Sequence, residues 1–277
     1  MSGSWTVQDA ARVLRRPTAA DDKYSRGVLG VRTGSDQYPG AAVLGVEAAW
    51  RTGLGMVRYL GPSVPTSLVL QRRPETVIAD GRVQAWLIGS GTAAVSRSDA
   101  ETAALRRILA SSLPVVVDAG ALGLAPNTTS PRIVTPHDRE HARLRADLGL
   151  AEGSPTTDAD RAASAIETAA ALGATVVLKG AVTIVASPSG WATTVSAGTA
   201  WMATAGTGDV LAGAIGAVVA GAASGADLGP LAATGVWLHG RAASLVAGDL
   251  GAGGGPITAL DVAATLPRAV AEALEAR

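Results

Sequence analysis

The residues best suited to chemistry lie in GTAWMATAGTGDVLAGAIGAVVAG (198–221), where Ala205-Gly206-Thr207-Gly208 runs straight into a helical pattern with Asp209 in its first turn. The first backbone N–H groups of a helix have no intrahelical partner, and with the helix dipole they form an anion site suited to phosphate. Glycines there let phosphate oxygens reach the backbone. An acid at that place repels a phosphate, unless it faces the hydroxyl that attacks phosphorus and takes its proton. The competing use of Asp209 is as a helix cap that complements the dipole. Taken alone, G-T-G-D leaves the two uses level.

Four further loops carry suitable chemistry. Leu178-Lys179-Gly180-Ala181-Val182-Thr183 lies between two strand-like runs; Lys179 offers a charge to a phosphate, while Gly180 and Thr183 offer backbone and hydroxyl contacts. Its plain alternative is a β-turn with a solvated lysine. Thr135-Pro136-His137-Asp138-Arg139-Glu140 follows an apolar strand and opens a helix, where Asp138 and Glu140 suit the helix start and His137 is free to hydrogen-bond a ligand. A single histidine is seldom functional. Gly34-Ser35-Asp36-Gln37-Tyr38-Pro39-Gly40-Ala41-Ala42 and Gly89-Ser90-Gly91-Thr92 also follow strands, and their small residues permit close ligand approach. Each glycine loop is weak evidence, but five such loops at one end of a sheet make a cleft.

The elements that must position these loops alternate. Strand-like runs are read at 27–32, 56–61, 76–79, 84–89, 114–120, 132–135, 175–180, 183–188 and 192–196, short, apolar and bounded by turn residues. Helices are read from Gly40 to about Gly53, near 97–111, from about His137 to Leu148 and from Thr157 to Leu172, and the chain is all helical from Gly208 onward. Thr6 with Asp9 three residues on is a capping-box pattern for a short leading helix. This order predicts an α/β fold, a mainly parallel central sheet with helices on both faces. No linker or internal repeat appears, so residues 1–277 are read as a single domain.

Composition narrows the function. With 23 Lys plus Arg against 23 Asp plus Glu, the chain lacks the field that non-specific nucleic-acid binding or an anionic membrane calls on. The absence of cysteine removes disulfides, thiolate metal sites and cysteine nucleophiles. The longest uncharged apolar run, Val210 to Ala223, falls short of the roughly 20 residues of a membrane span, and the first residues lack a signal-peptide core. A cytoplasmic protein with no nucleic-acid or membrane partner is expected. Ala-rich helices such as the one after Asp209 suit close helix packing, and a homo-oligomer is the expected assembly.

In order along the chain, GSDQYPGAAVL, GSGT, VVVDAGAL, IVTPHDRE, VVLKGAVT and WMATAGTGDVLAG resemble the ADP- or ATP-dependent (S)-NAD(P)H-hydrate dehydratases of the ribokinase-like superfamily, from about Lys23 to the C-terminal helices. The resemblance implies a ribokinase-like sheet of about eight to ten strands and a lyase that repairs hydrated NADH or NADPH. Phosphorylation of the C6 hydroxyl by ADP or ATP, giving AMP from ADP, and elimination of phosphate would restore the reduced ring. Asp209 would be the base and a substrate contact, and the N–H groups of Gly206, Thr207 and Gly208 would hold the transferring phosphoryl group. Lys179, Gly180, Ala181, Val182 and Thr183 would lie along the adenine nucleotide, with Gly208 also close to it. Ala41 or Ala42, Gly91 and His137 would contact the hydrated dinucleotide. Mg2+ is implied between the phosphates, with ligands unassigned. Many bacterial relatives carry an added epimerase domain; at this length a stand-alone dehydratase is expected.

Three departures stand out. Asp138-Arg139 replaces a Pro-Gly pair after Thr-Pro-His; Gly198-Thr199-Ala200-Trp201 replaces a common Gly-Asn-Pro-Gly; and Asp118-Ala119-Gly120 lacks a second acid many relatives have, leaving Asp118 an auxiliary part. Two other functions remain: a ribokinase-superfamily kinase for a thiazole or hydroxymethylpyrimidine alcohol, and a non-catalytic adenine-nucleotide sensor. The Thr-Pro-His-x-x-Glu and Met-Ala-Thr-Ala-Gly-Thr-Gly-Asp strings speak against the kinase. Retention of Asp209 speaks against the sensor.

Overall fold

The computed structural model describes residues 3–151 and 157–277. Its strands are short because each is a buried apolar run cut off by Gly, Pro or a polar turn. They are β1 (Val28–Arg32), β2 (Met56–Tyr59), β3 (Ala85–Ile88), β4 (Val115–Val117), β5 (Arg132–Val134), β6 (Thr175–Leu178), β7 (Thr183–Ala186) and β8 (Ala192–Val195). They form one sheet in the order β2-β1-β3-β4-β5-β6-β7-β8. Pairing is parallel from β2 through to β6, then antiparallel at β6–β7 and β7–β8. Two reversals return β8 to the sense of β6, so β1 to β6 and β8 end at one edge. The expected α/β fold with a mainly parallel sheet is present.

Helices cover both faces, as near-continuous apolar strands require. On one side lie α1 (Val7–Val13), α2 (Gly40–Thr52), α7 (Thr207–Ala220), α8 (Leu228–Gly248) and α9 (Ala259–Glu275), sharing a core with Leu29, Leu87 and Val116. On the other lie α4 (Asp99–Leu109), α5 (Asp138–Asp147) and α6 (Asp158–Leu172), packed on Ile88, Val117 and Leu178. Helix α7 is buried at every residue from Val210 to Ala220, which accounts for its uncharged sequence. Among the described residues, no helix is long and apolar enough to cross a membrane.

Two expectations need correction. Residues 76–79 do not form a strand: Val77 makes a single parallel bridge to Arg58, and the chain then leaves the sheet edge, with Ile78 exposed. The helix α3 (Ser63–Arg72) has no counterpart in the sequence reading. Val64 and Leu68 point to solvent while Pro65 and Val69 are buried, so its apolar residues do not form one stripe.

Candidate active site

Helix α7 begins without a side-chain cap. Its N-cap is Gly206, at φ +90°, and a Cβ there would stand 2.5 Å from Leu44 Cδ1 and 3.1 Å from the Ala259 Cβ. Both the left-handed backbone and the neighbours demand glycine. The first helical hydrogen bond, Val210 N to Gly206 O at 3.2 Å, leaves the N–H groups of Thr207, Gly208 and Asp209 without helical partners. The Thr207 hydroxyl turns inward, donating to the carbonyls of Met202 (3.1 Å) and Thr204 (3.0 Å), and thereby ties the preceding loop to the helix start.

Asp209 stands at the third position of α7, and no donor among the described residues hydrogen-bonds its carboxylate. The capping use of Asp209 therefore has no bond behind it. Burial pushes its pKa up to about 7, the negative charge of Asp118 adds to the rise, and Lys179 opposes it. A carboxylate poised there can take a proton from an alcohol near neutral pH.

A knot of side chains from four strand ends faces this helix. Asp118, 3% exposed beyond β4, accepts from Ser90 Oγ beyond β3 (2.7 Å) and from Thr135 Oγ1 beyond β5 (2.6 Å). Lys179 Nζ, beyond β6, lies 3.3 Å from Asp118 Oδ1 and 3.7 Å from Glu140 Oε2. The same ammonium is 3.7 Å from where a Cβ would stand on Gly208. The lysine is not in a solvated turn: its side chain turns into the cleft beneath α7.

The remaining candidates divide. Gly180 and Ala181 are exposed at the tip of the loop, the Thr183 hydroxyl donates to Gly180 O (3.3 Å), and the Val182 carbonyl is taken by Arg161 Nη1 at 2.9 Å. Arg161 Nη2 also donates to Lys179 O at 3.0 Å, so this loop is held from below by α6. Gly91, at φ +66°, packs so tightly on the loop before α2 that its Cβ would stand 2.5 Å from Ala41 Cβ and 2.8 Å from Tyr38 O. Ala41 keeps 7% of its surface, whereas Ala42 is fully buried and has none to offer a ligand. Thus Ala41 and Gly91 share the rim, and Ala42 belongs to the core.

His137 has a structural use that its place in the sequence does not show. It is the N-cap of α5: Glu140 N donates to its Nδ1 (3.2 Å), while its own N–H donates to Glu140 Oε2 (2.9 Å). Its ring remains about half exposed on the cleft side of the sheet, beside Lys179, with which it forms a parallel bridge. The unusual Asp138 does not disturb it, because that carboxylate turns to Arg161 at 3.3 Å. Sequence reasoning missed Arg161 and His239. The latter is buried on α8, its Nε2 has no hydrogen-bond partner, and the ring interacts with the Thr207 backbone. Burial holds its pKa down at about 4, against the pull of that backbone contact, and Lys179 lowers it further. A lone histidine in an apolar helix gives no signal of its own; only the packing of α8 behind α7 reveals it.

Comparison with known proteins finds relatives along nearly the whole chain. The family model described as NAD(P)H-hydrate dehydratase matches residues 29–268. The bifunctional NAD(P)H-hydrate repair enzyme Nnr of Mycobacterium leprae is 41% identical over 91% of this chain and 52% of its own length. The chain thus spans about half the length of that relative, and 39% of the Mycobacterium tuberculosis protein of the same name. An ADP-dependent (S)-NAD(P)H-hydrate dehydratase of Neisseria meningitidis is 35% identical over 92% of this chain and 91% of its own. Among solved structures, the ADP/ATP-dependent NAD(P)H-hydrate dehydratase of Bacillus subtilis, co-crystallized with ATP/Mg2+, superposes with a TM-score of 0.82 at 28% identity, covering 96% of this chain and 97% of that one. The fold is ribokinase-like.

Proposed function

The chain belongs to the NAD(P)H-hydrate dehydratase family, and we propose that it dehydrates the S-form of hydrated NADH or NADPH, using ADP or ATP as phosphoryl donor, as one domain acting in the cytoplasm. The observation that carries this is Asp209, uncapped at a glycine-opened helix start and held near neutrality. Its carboxylate takes the proton of the C6 hydroxyl as that oxygen attacks the terminal phosphorus of the nucleotide. The N–H groups of Thr207, Gly208 and Asp209 hold the oxygens of the transferring group, with the Lys179 ammonium beside them. Phosphate is then a good leaving group: the C6–O bond breaks with help from the ring nitrogen, C5 gives up a proton, and the reduced ring is restored. ADP leaves as AMP, or ATP as ADP.

Gly180, Ala181 and Gly208 would lie along the nucleotide, and Ala41, Gly91 and His137 along the hydrated dinucleotide. Among the described residues no three His, Asp or Glu side chains gather as a metal cage. That fits a magnesium ion, which is held mainly by phosphate oxygens and water with one or two carboxylates. Its chemistry there would be to neutralise charge between the phosphates. A cytoplasmic setting is supported by the substrates, which are intracellular cofactors. The exposed Val64, Leu68 and Leu260 support the expected homo-oligomer.

Incubation with hydrated NADH and ADP or ATP tests the reading. Recovery of reduced-nicotinamide absorbance with release of inorganic phosphate is the expected result. A stable phosphorylated alcohol would make the chain a kinase, and nucleotide binding with no consumption would make it a sensor.

A further inference from the structure

We propose that Asp118 is the positioning residue of the site: it pins the Lys179 ammonium beneath the first turn of α7 and sets the charge that Asp209 faces. The inference rests on the dehydratase reading for its kinetic part, not for its electrostatic part.

Asp118 is unsuited to be a second base. It is 3% exposed, and each carboxylate oxygen already accepts a hydroxyl, Oδ2 from Ser90 and Oδ1 from Thr135. What the residue can do is hold. Ser90, Asp118, Thr135 and Lys179 stand beyond four adjacent strands, so a single buried carboxylate ties four loops together and fixes the last of them through the 3.3 Å contact to Nζ. A lysine with a flexible stem needs such an anchor, since free rotation of four torsions would scatter its charge. Glu140, at 3.7 Å, steadies the ammonium from α5. The result is a fixed positive charge beside Gly208, next to the unpartnered N–H groups of α7.

Fixing Lys179 also balances Asp209. Around it stand Asp118 from β4, which raises its affinity for a proton, and Lys179 from β6, which lowers it. Glu140 from α5 faces Lys179, and His239 from α8, on the Thr207 side, stays neutral because burial holds its pKa low. Like charge and opposite charge are thus delivered to Asp209 by two residues that are themselves in contact.

The test is Asp118→Asn, whose carbonyl can still accept a hydroxyl, so the shape is kept while the charge is lost. We expect kcat to fall about tenfold to a hundredfold, with nucleotide affinity altered much less. The Asp209 carboxyl resonance, followed by carbon-13 NMR on the free protein, should titrate at lower pH than in the wild type, and in Lys179→Met at higher pH. A merely structural role for Asp118 would lower Tm without moving that titration. If Asp118→Asn fails to fold, Asp118→Ser, smaller and equally uncharged, is read by the same titration. Coincident titration curves for Asp209 in the folded variants and the wild type overturn the proposal, even where the wild type is an active dehydratase. A wild type that restores no reduced nicotinamide, but whose variants show the shifts, would remove the dehydratase reading and leave this one standing.

Discussion

Six of the described helices carry an acid at their third position; in α4 it is Glu101, which turns to Arg32, and four of the other five use it alike. In α1, α6 and α9 the N-cap is Thr6, Thr157 or Thr258, and Asp9, Asp160 or Asp261 reaches back to its backbone in a capping box. In α5 the pair is His137 and Glu140. Helix α7 keeps the acid, Asp209, and replaces the cap by Gly206. The electrostatic outcome is opposite. For Asp9, burial is outweighed by hydrogen bonds from Thr6 and by Arg12, and its pKa falls below the usual range. For Asp209, burial has no such opponent, and the pKa climbs to about 7. A cap consumes both the acid and the free N–H groups; without one, both stay available for the proposed roles of base and anion hole.

The strongest way to break this comparison is Asp209→Asn. The amide keeps the shape but cannot take a proton, so turnover should fall about 10²–10⁴-fold with nucleotide binding retained. Wild-type turnover should rise with pH up to about 7, as the base loses its proton. Stability should respond in the other direction. Between the ordinary carboxylate range and about pH 7 the folded protein holds a proton that the unfolded chain has lost, so raising the pH favours unfolding. Asp209→Asn removes that burden. Allowing for partial solvent exposure, it should stabilise the protein by about 1–3 kcal/mol above neutrality, and this gain should vanish below about pH 4. Denaturant melts across pH check this. A variant that keeps near wild-type turnover makes Asp209 no more than a first-turn acid.

Gly208→Val tests the other half of the site, the exposed N–H groups. The open space at Gly208 ends only at Lys179, so a branched side chain would stand where phosphate oxygens meet the backbone. Loss of one hydrogen bond to a charged group corresponds to about 1.5–3 kcal/mol, or roughly tenfold to a hundredfold in nucleotide affinity. Calorimetry with ADP and ATP reads this. Unchanged binding in a folded variant would place the nucleotide elsewhere.

A true cap should behave in the contrary way. Thr6→Ala, far along the chain from the site, should cost about 1 kcal/mol of stability and leave turnover unchanged. Chemical denaturation beside an activity assay measures both, and a loss of turnover without a loss of stability would erase the distinction between capped and uncapped starts.

The same contrast explains what the sequence could show. Glycine before a helical acid is visible in Gly206-Thr207-Gly208-Asp209, and so are the threonine-acid spacings of the capping boxes, because both depend on residues within one turn. The parallel sheet is legible for a related reason: apolar runs such as VVV at β4 have no solvent face. What escaped depends on distance along the chain. Lys179 reads as a loop lysine until Asp118, 61 residues earlier, is seen to hold it. Arg161 gives no sign that it braces the 179–182 backbone from α6. The edge at 76–79 looks like a strand, since nothing local tells one bridge from four.

His137 lies between the two classes, and the smallest effect is expected there. It is a capping residue, yet its ring remains about half exposed on the cleft side of the sheet. Removing it by His137→Ala should cost about 0.5–1 kcal/mol of stability through the lost cap. If the imidazole also touches the hydrated dinucleotide, the substrate KM should rise about threefold to tenfold while nucleotide affinity holds, less than a free histidine would give. The reduction follows from its geometry: Nδ1 is already an acceptor for Glu140 N, and Nε2 lies 3.6 Å from the Glu140 carboxylate, so only part of the ring is available. His137→Ser separates the two roles, because serine restores a cap oxygen without a ring. Stability recovered with KM still raised assigns the imidazole to substrate. Stability and KM recovered together make His137 a cap like Thr6.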